Sequence, residues 1–460
     1  MISKFLKIAF RVMYRDKWYS IINILGLSVG LCTALLLSLY VKHELSFDRF
    51  HTESNKIYRL NNHFSRSGLK EEKLPCTLYD TGNELLEQVS EIEMLNRIFF
   101  WDTGNITIDD NTFSNERIIY TDTTFFSLFN FPIIHGNSQK PLSEPHTIVI
   151  SERLAKKWFG KENPIGKSIT ISTYDLDTVK RQFYTRPQAL TVSAVMQNVP
   201  KNSHIQFDIA TPFSTMPPLF LAANGQDFYT YLKLSTKLNK QIKDKINHIN
   251  SSVIDRVFGN YGRESENTKT VLVPLKDIHL HTNYPGDRAI TTDYGFVLTL
   301  SIIALLVLII ASINFINLTT ARADKRKREV GIRKVVGSNR LQITMQFIGE
   351  SVITTFIALL ISFMLLELVI TPFNNLLGTT LALDYKSNIS FLVLIIATTI
   401  AIGILGGIYP SLYMSRFKAI SVLRGLTNSG KRNPIVKSIL VVLQFGISSA
   451  LIFMLMVIML

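Results

Sequence analysis

Residues 321–350 read Ala-Arg-Ala-Asp-Lys-Arg-Lys-Arg-Glu-Val-Gly-Ile-Arg-Lys-Val-Val-Gly-Ser-Asn-Arg-Leu-Gln-Ile-Thr-Met-Gln-Phe-Ile-Gly-Glu. Eight Lys or Arg and two acids stand between Arg322 and Gln346, with a long apolar run on each side. Hydrocarbon is a costly place for such a charge density. The segment is therefore read as a short loop at one face of a membrane, and its sign identifies the face.

Composition agrees. The chain of 460 residues is 47% hydrophobic and 18% charged, whereas an ordinary soluble domain carries about a quarter charged residues. The excess is local. Apolar runs of spanning length, roughly 20 residues, fall at 19–41, 294–320, 347–371, 391–414 and 437–460. The polar stretch 42–293 between the first two is long enough for a folded domain with its own core. The expected fold is a multi-span α-helical membrane protein with a large α+β extracytoplasmic domain inserted between transmembrane helices 1 and 2.

The net charge of +14 is confined to a few segments. Segments 1–20, 321–346 and 414–438 hold 19 of the 49 basic residues and 3 of the 35 acids, leaving 30 basic and 32 acidic residues elsewhere. A nucleic-acid-binding surface would place the excess on the folded domain, so no nucleic-acid partner is expected. Positive charge beside spans marks the cytoplasmic side. The N-terminus is then cytoplasmic and residues 42–293 lie outside. Segment 321–346 is an inner loop, 372–390 a short outer loop, and 415–436 an inner linker to a fifth span. Residues 1–18 interleave apolar and basic positions, as in an amphipathic helix lying at the bilayer surface. The first apolar run is too long for a signal-peptide core and lacks a cleavage site, so it reads as an anchor.

Within 42–293, strand patterns occur at 56–64, 105–108, 117–120, 147–150, 168–172, 190–199, 229–234 and 269–275, with helical patterns near 78–89, 151–159 and 239–258. Such mixing suggests two α+β lobes, and Ser151 suits an N-cap. The glycines of Gly160-Lys-Glu-Asn-Pro-Ile-Gly166 stand one residue too far apart for a phosphate-binding loop, so this reads as a turn before a strand. The pair His279 and His281 lacks further ligands in spacing and reads as structural at a strand end. The two cysteines, Cys32 and Cys76, fall in a span and in the outer domain, which leaves no disulfide framework. No catalytic or metal-ligating constellation stands out. In the spans, Gly26 with Gly30 and Gly403 with Gly407 have the spacing of close helix contacts, within the chain or between subunits. Asn314 and Asn317 share one face, as for interhelical hydrogen bonds. Glu350 and Glu367 sit at opposite ends of span 3, neither at the mid-depth expected of a proton relay.

The central stretch reads as a helix, a break and a new helix. Ile332, Val335 and Val336 form one apolar face, Arg328, Arg333 and Lys334 flank it, Gly337 ends the helix, and Ser338 or Asn339 caps the next. Glu329-Val-Gly-Ile-Arg-Lys-Val-Val-Gly337 followed by Gln346-Phe-Ile-Gly-Glu350 resembles the signature of FtsX/MacB-type ABC transporter permeases. Further stretches resemble that family in order: Asn163-Pro-Ile-Gly-Lys167, Val195–His204 with Phe207-Asp208, Pro274–His281, and Gly407–Phe417.

The resemblance implies that 42–293 is a MacB-like periplasmic core domain. It also implies that Arg328, Glu329, Val330, Gly331, Ile332, Arg333, Lys334, Val335, Val336 and Gly337 form a coupling helix seated on a separate cytoplasmic ATPase subunit. ATP and Mg²⁺ would be bound by that partner, with no cofactor in this chain. The other partners would be a second permease half or subunit and the lipid of a bacterial inner membrane. Two departures stand out: no nucleotide motif is present, and a fifth apolar run follows the four spans of a permease unit. Arg432–Lys437 with the run to Leu460 echoes residues 1–41, so the chain is read as the first half of a duplicated permease plus the opening of the second. The alternative readings are a membrane-bound sensor docking a signalling partner on the basic loop, or an FtsX-like regulator of cell-wall hydrolases. Gly331→Pro would break the helix and uncouple ATP hydrolysis. Wild-type stimulation of the ATPase by that variant would contradict the coupling assignment.

Overall fold

The computed structural model describes residue 11 and residues 13–459, apart from 66–70, 102–104, 109–110, 115, 178–181, 218–220, 222–224, 226, 259–267, 384–388 and 416–434. Most of the amphipathic segment 1–18 and of the linker 415–436 therefore lies outside the described residues. The chain forms two compact units, Glu44–Tyr294 on one hand and Met1–His43 with Gly295–Leu460 on the other. The first apolar run is helix α1, Lys17–Leu45.

The Glu44–Tyr294 unit contains strands β1 (Ile57–Phe64), β2 (Glu72–Leu74), β3 (Ile92–Trp101), β4 (Asn105–Ile108), β5 (Asn111–Phe113), β6 (Ile118–Thr121), β7 (Ile133–Gly136), β8 (Thr147–Ser151), β9 (Ser168–Asp177), β10 (Gln182–Met196), β11 (Ile209–Pro212), β12 (Tyr229–Leu234) and β13 (Thr268–Pro274). Its helices are α2 (Tyr79–Gln88), α3 (Phe125–Leu128), α4 (Glu152–Phe159), α5 (Lys240–Phe258) and α6 (Ile278–His281). One hydrogen-bonded path runs β13-β1-β12-β3-β6-β11-β8-β10-β9-β4-β5, with β2 beside β1 and β7 beside β10. The pairs β10–β8 and β11–β6 are parallel and the other named pairs antiparallel. Strands β6, β8 and β11 are buried at every position, as strands covered on both faces are. Alternate residues serve opposite faces. Ile119 and Val149 join one apolar cluster with Phe125, Phe131 and Phe207, while Ile118, Tyr120, Ile148 and Ile150 join another with Ile209 and Phe228. A bulge between Val192 and Ala194 of β10 keeps Val192 and Val195 in the second cluster.

All eight expected strands and all three helices of this unit are present. Strand β3 was not legible, because Ile-Glu-Met-Leu-Asn-Arg-Ile-Phe-Phe-Trp does not alternate. Its Asn96 and Arg97 are buried but paired: Arg97 meets Asp122 at 2.8 Å, and Asn96 meets Thr121 at 3.0 Å. The 168–172 pattern is the start of a longer hairpin, since β9 continues to Asp177 and β10 begins at Gln182. Ser151 caps α4, its Oγ accepting from the Leu154 amide at 3.4 Å. His279 lies in the short helix α6 rather than at a strand end. It is buried between the Glu44 carboxylate, 2.7 Å from Nε2, and the Ile290 carbonyl, 2.8 Å from Nδ1.

A second buried knot joins Asp48 to His204, with Oδ2 and Nδ1 2.8 Å apart and His204 Nε2 2.8 Å from the Tyr231 hydroxyl. Asp48 holds φ at +56°, which non-glycine residues adopt only when the surroundings fix it. Nearby, Arg59 is buried against Asp287 at 2.8 Å.

The other unit contains α7 (Tyr294–Lys325), α8 (Lys327–Val335), α9 (Arg340–Leu377), α10 (Ile389–Ser415) and α11 (Ile435–Met459). Among the described residues, four helical stretches are long and apolar enough to cross a membrane: Lys17–Leu45, Tyr294–Ala323, Arg340–Leu377 and Ile389–Ile408. The fifth expected span is helical, α11 running over Ile435–Met459. Helix α9 runs past the expected end of span 3, through Pro372 to a left-handed stop at Gly378.

The small-residue spacings are used inside the chain. A Cβ on Gly30 would lie 2.3 Å from Ala311 Cβ, and one on Gly26 3.5 Å from Asn314 Nδ2, so α1 packs closely on α7. A Cβ on Gly403 would come 2.8 Å from Val352 Cα, and one on Gly407 2.7 Å from Ile348 Cα, so α10 packs on α9. The interhelical amide bond between α1 and α7 comes from Asn23, whose Nδ2 donates to Thr319 Oγ1 at 3.4 Å. Asn314 faces Gly26, and Asn317 is half-buried.

His51 gives the Glu44–Tyr294 unit a pH dependence. Burial pushes its imidazole down to about 4, with Asp48 opposing and His204 adding to the shift. Its Nδ1 accepts from the Asn130 amide at 3.1 Å. The unfolded chain takes up this proton near pH 6.5. Stability from neutral His51 is thus complete above pH 6.5 and lost as pH falls towards 4, by about 3 kcal/mol in all. The melting temperature of the chain should fall between pH 6.5 and 5. His51→Asn, which keeps an acceptor for Asn130, should fall less. Equal slopes for the two proteins would contradict this.

Candidate functional site

The basic segment folds as an elbow joining α7 to α9. Helix α7 ends at Lys325, and the Arg326 amide closes onto the Ala323 carbonyl at 2.9 Å. Helix α8 follows at once. Its C-terminus is a Schellman motif: the Gly337 amide bonds Lys334 O at 3.2 Å, and the Ser338 amide bonds Arg333 O at 3.0 Å. Gly337 has φ +102°, where a side chain would be strained. The chain then enters α9 through a capping box, with Asn339 Oδ1 accepting from the Gln342 amide at 2.8 Å and Gln342 Oε1 accepting from the Asn339 amide at 3.1 Å. Of the two residues expected to cap α9, Asn339 does so.

One guanidinium holds the elbow together. Arg326, only 5% exposed, donates to Glu350 Oε2 on α9 at 2.5 Å and to both carboxylate oxygens of Glu329 on α8 at 3.3 Å. It also lies over the Phe347 ring, 5.2 Å from its centroid. Glu329 further receives Arg333 at 2.9 Å and Arg15 at 3.3 Å. Arg333 reaches Gln346, whose Nε2 donates to Glu350 Oε1 at 2.8 Å. Burial opposes ionisation of Glu329, but Arg326, Arg15 and Arg333 outweigh it and hold the carboxyl below its ordinary range. For Arg326, burial works against the charge while Glu350 and Glu329 raise the pKa above the usual arginine value. Below the ion pairs, Val330 packs with Ala323, Ile343 and Phe347.

This packing sorts the expected contact residues. Ile332, Val335 and Val336 point outward, between 49% and 81% exposed. Val330 and Gly331 are buried instead, so they support the helix and present nothing to a partner. Glu329 and Arg333 are engaged in the ion-pair network, Lys334 is half-buried and Gly337 exposed. The side chain of Arg328 lies outside the described residues. Leu341 and Met345, in the first turns of α9, are also strongly exposed. Their four-residue spacing is the signal that would have revealed them.

Comparison with known proteins shows which proteins the chain is similar to. The MacB-like periplasmic core domain model matches residues 20–249, and the FtsX-like permease C-terminal model matches residues 301–419. The uncharacterized ABC transporter permease YvrN of Bacillus subtilis is 21% identical over 438 residues, covering 91% of this chain and 98% of YvrN. The macrolide export ATP-binding/permease protein MacB of Neisseria meningitidis is 24% identical over 286 residues, 61% of this chain but only 38% of that protein. The chain thus aligns with well under half the length of such MacB relatives. The crystal structure of the periplasmic region of MacB from Actinobacillus actinomycetemcomitans superposes on 48% of this chain and 90% of its own, with 14% identity and a TM-score of 0.31.

Removing one partner of a buried ion pair costs about 3–5 kcal/mol, whereas replacing both by apolar residues is often nearly neutral. Glu350→Leu should therefore lower the melting temperature sharply, and Arg326→Leu with Glu350→Leu should recover much of the loss. A double variant no more stable than Glu350→Leu would contradict the role given to Arg326.

Proposed function

The chain belongs to the ABC transporter permease family that joins a MacB-like periplasmic core domain to an FtsX-like permease domain, and on that premise we propose that it is the membrane subunit through which a separate cytoplasmic ATPase drives movement of the Glu44–Tyr294 unit. The observation that carries this reading is the apolar ridge of Ile332, Val335, Val336, Leu341 and Met345, displayed on an otherwise basic elbow. Large apolar side chains exposed together usually serve an interaction, and a short helix offering them fits a groove on a soluble partner. The bound ATP and Mg²⁺ are assigned to that partner, because the sequence carries no phosphate-binding loop.

The charge pattern supports the orientation. Basic residues cluster at 1–20, 321–346 and 414–438, which favours an N-terminus and elbow in the cytoplasm and the Glu44–Tyr294 unit in the periplasm of a bacterial inner membrane. The outward side chains of the spans, such as Leu298, Ile302, Leu305 and Ile309 of α7, are apolar and suit contact with lipid or with a second permease half. In this mechanism the ATPase grips the ridge, and the Arg326–Glu350 bond transmits its closure to α9 as displacement rather than as bending of a flexible loop. The work delivered would export or extract a substrate.

Val335→Asp and Val336→Asp place a charge where the partner's groove would close. Each should weaken retention of the ATPase by about tenfold or more. Because both sites are exposed, the melting temperature should barely change, within about 0.5 kcal/mol of stability. Undiminished retention and stimulation of the ATPase would contradict the proposal. Capture of a kinase in place of an ATPase would favour the sensor reading.

A further inference from the structure

Between the inner turns of α1, α7 and α9 lies a cavity of about 30 Å³, walled on its apolar side by Phe315 and Phe347. Two side chains of α1 line it with polar atoms that have no partner in the protein, Ser20 Oγ and Asn23 Oδ1. The two residues are only 5% and 6% exposed. Their neighbours are already committed. Asn23 Nδ2 donates to Thr319 Oγ1 at 3.4 Å, and that hydroxyl donates to the Phe315 carbonyl at 2.7 Å. Thr354 on α9 donates to the Glu350 carbonyl at 2.8 Å. Folded proteins pair nearly all buried hydroxyls and amide oxygens with protein or ordered water.

Size and charge select the occupant. One water needs about 10–15 Å³ of such space, so the cavity has room for one or two and for nothing larger. The charges in its wall are matched, Arg326 by Glu350 and Glu329 and Arg322 by Asp16. An ion of either sign would therefore disturb a balanced site, whereas a neutral molecule that both donates and accepts completes it.

We propose that the cavity is a resident water site, in which the water accepts a hydrogen bond from Ser20 Oγ and donates one to Asn23 Oδ1. The water satisfies two buried polar groups of α1 at the wall that α1 shares with α7 and α9, and Ser20 and Asn23 are its positioning residues. Such a water is nearly as favourable a partner as a direct hydrogen bond within the protein. This inference stands apart from the identity of the cytoplasmic partner.

Radiolytic hydroxyl-radical labelling of the full chain in nanodiscs tests it, because radicals formed from a bound water modify the side chains beside it. Phe315, 1% exposed and on the cavity wall, should be oxidised several-fold faster than Phe207, which is 0% exposed in an all-apolar cluster. Ser20→Ala with Asn23→Leu should remove that excess and leave labelling of exposed Tyr14 unchanged. Oxidation of Phe315 at the rate of Phe207 in the wild-type protein overturns the proposal, and so does an excess that persists in the folded double variant. The wild-type comparison decides alone should the variant fail to fold.

Discussion

The membrane unit depends on neutralising one buried cation. Arg326 sits where α7, α8 and α9 meet, and its charge is tolerated only because Glu350 and Glu329 reach it from two different helices. That requirement fixes the crossing of the helices as well as their ends. Glu350 must lie about three turns into α9, α8 must start immediately after α7, and Val330 must turn inward onto Ala323, Ile343 and Phe347. The outward position of Ile332, Val335 and Val336 follows geometrically, since residues two, five and six positions on from Val330 lie about 120° or more away around the helix. The ion pairs and the apolar packing beneath them thus join the three helices at one point.

The Glu44–Tyr294 unit solves a similar problem with histidines. Its entry segment 44–51 is held by Glu44 to His279 and by Asp48 to His204, two residues far away in sequence. Both histidines belong to stretches that resemble the permease family, and the structure gives those stretches a shared physical purpose. They lock the beginning of the unit to its middle and its end. Phe47 stacked on His279, with ring centroids 3.4 Å apart, adds packing to the same lock.

Much of this was legible in the sequence because its signals are periodic or additive. Apolar runs gave the spans, alternation gave eight strands, and the basic segment gave the elbow, down to the Gly337 stop. What remained hidden depends on partners distant in sequence. Strand β3 breaks alternation at Asn96 and Arg97, and only the positions of Asp122 and Thr121 make those residues tolerable there. Val330 looked like part of the contact surface because the pattern around it is apolar on several sides; α9 decides which side is covered. The glycine pairs were visible, but spacing alone does not say whether Ala311 or another subunit faces Gly30. Gly406, which meets Phe315, follows no spacing that would have singled it out.

The central claim is that the outward ridge of the elbow, and not its inner face, meets an ATPase. A photo-cross-linking amino acid placed in turn at Ile332, Val336 and Val330, in cells carrying the chain and its ATPase, tests it most directly. The account predicts adducts with the ATPase from positions 332 and 336 and adducts within the chain from position 330. Adducts with the ATPase of equal yield at all three positions, or at none, would contradict it.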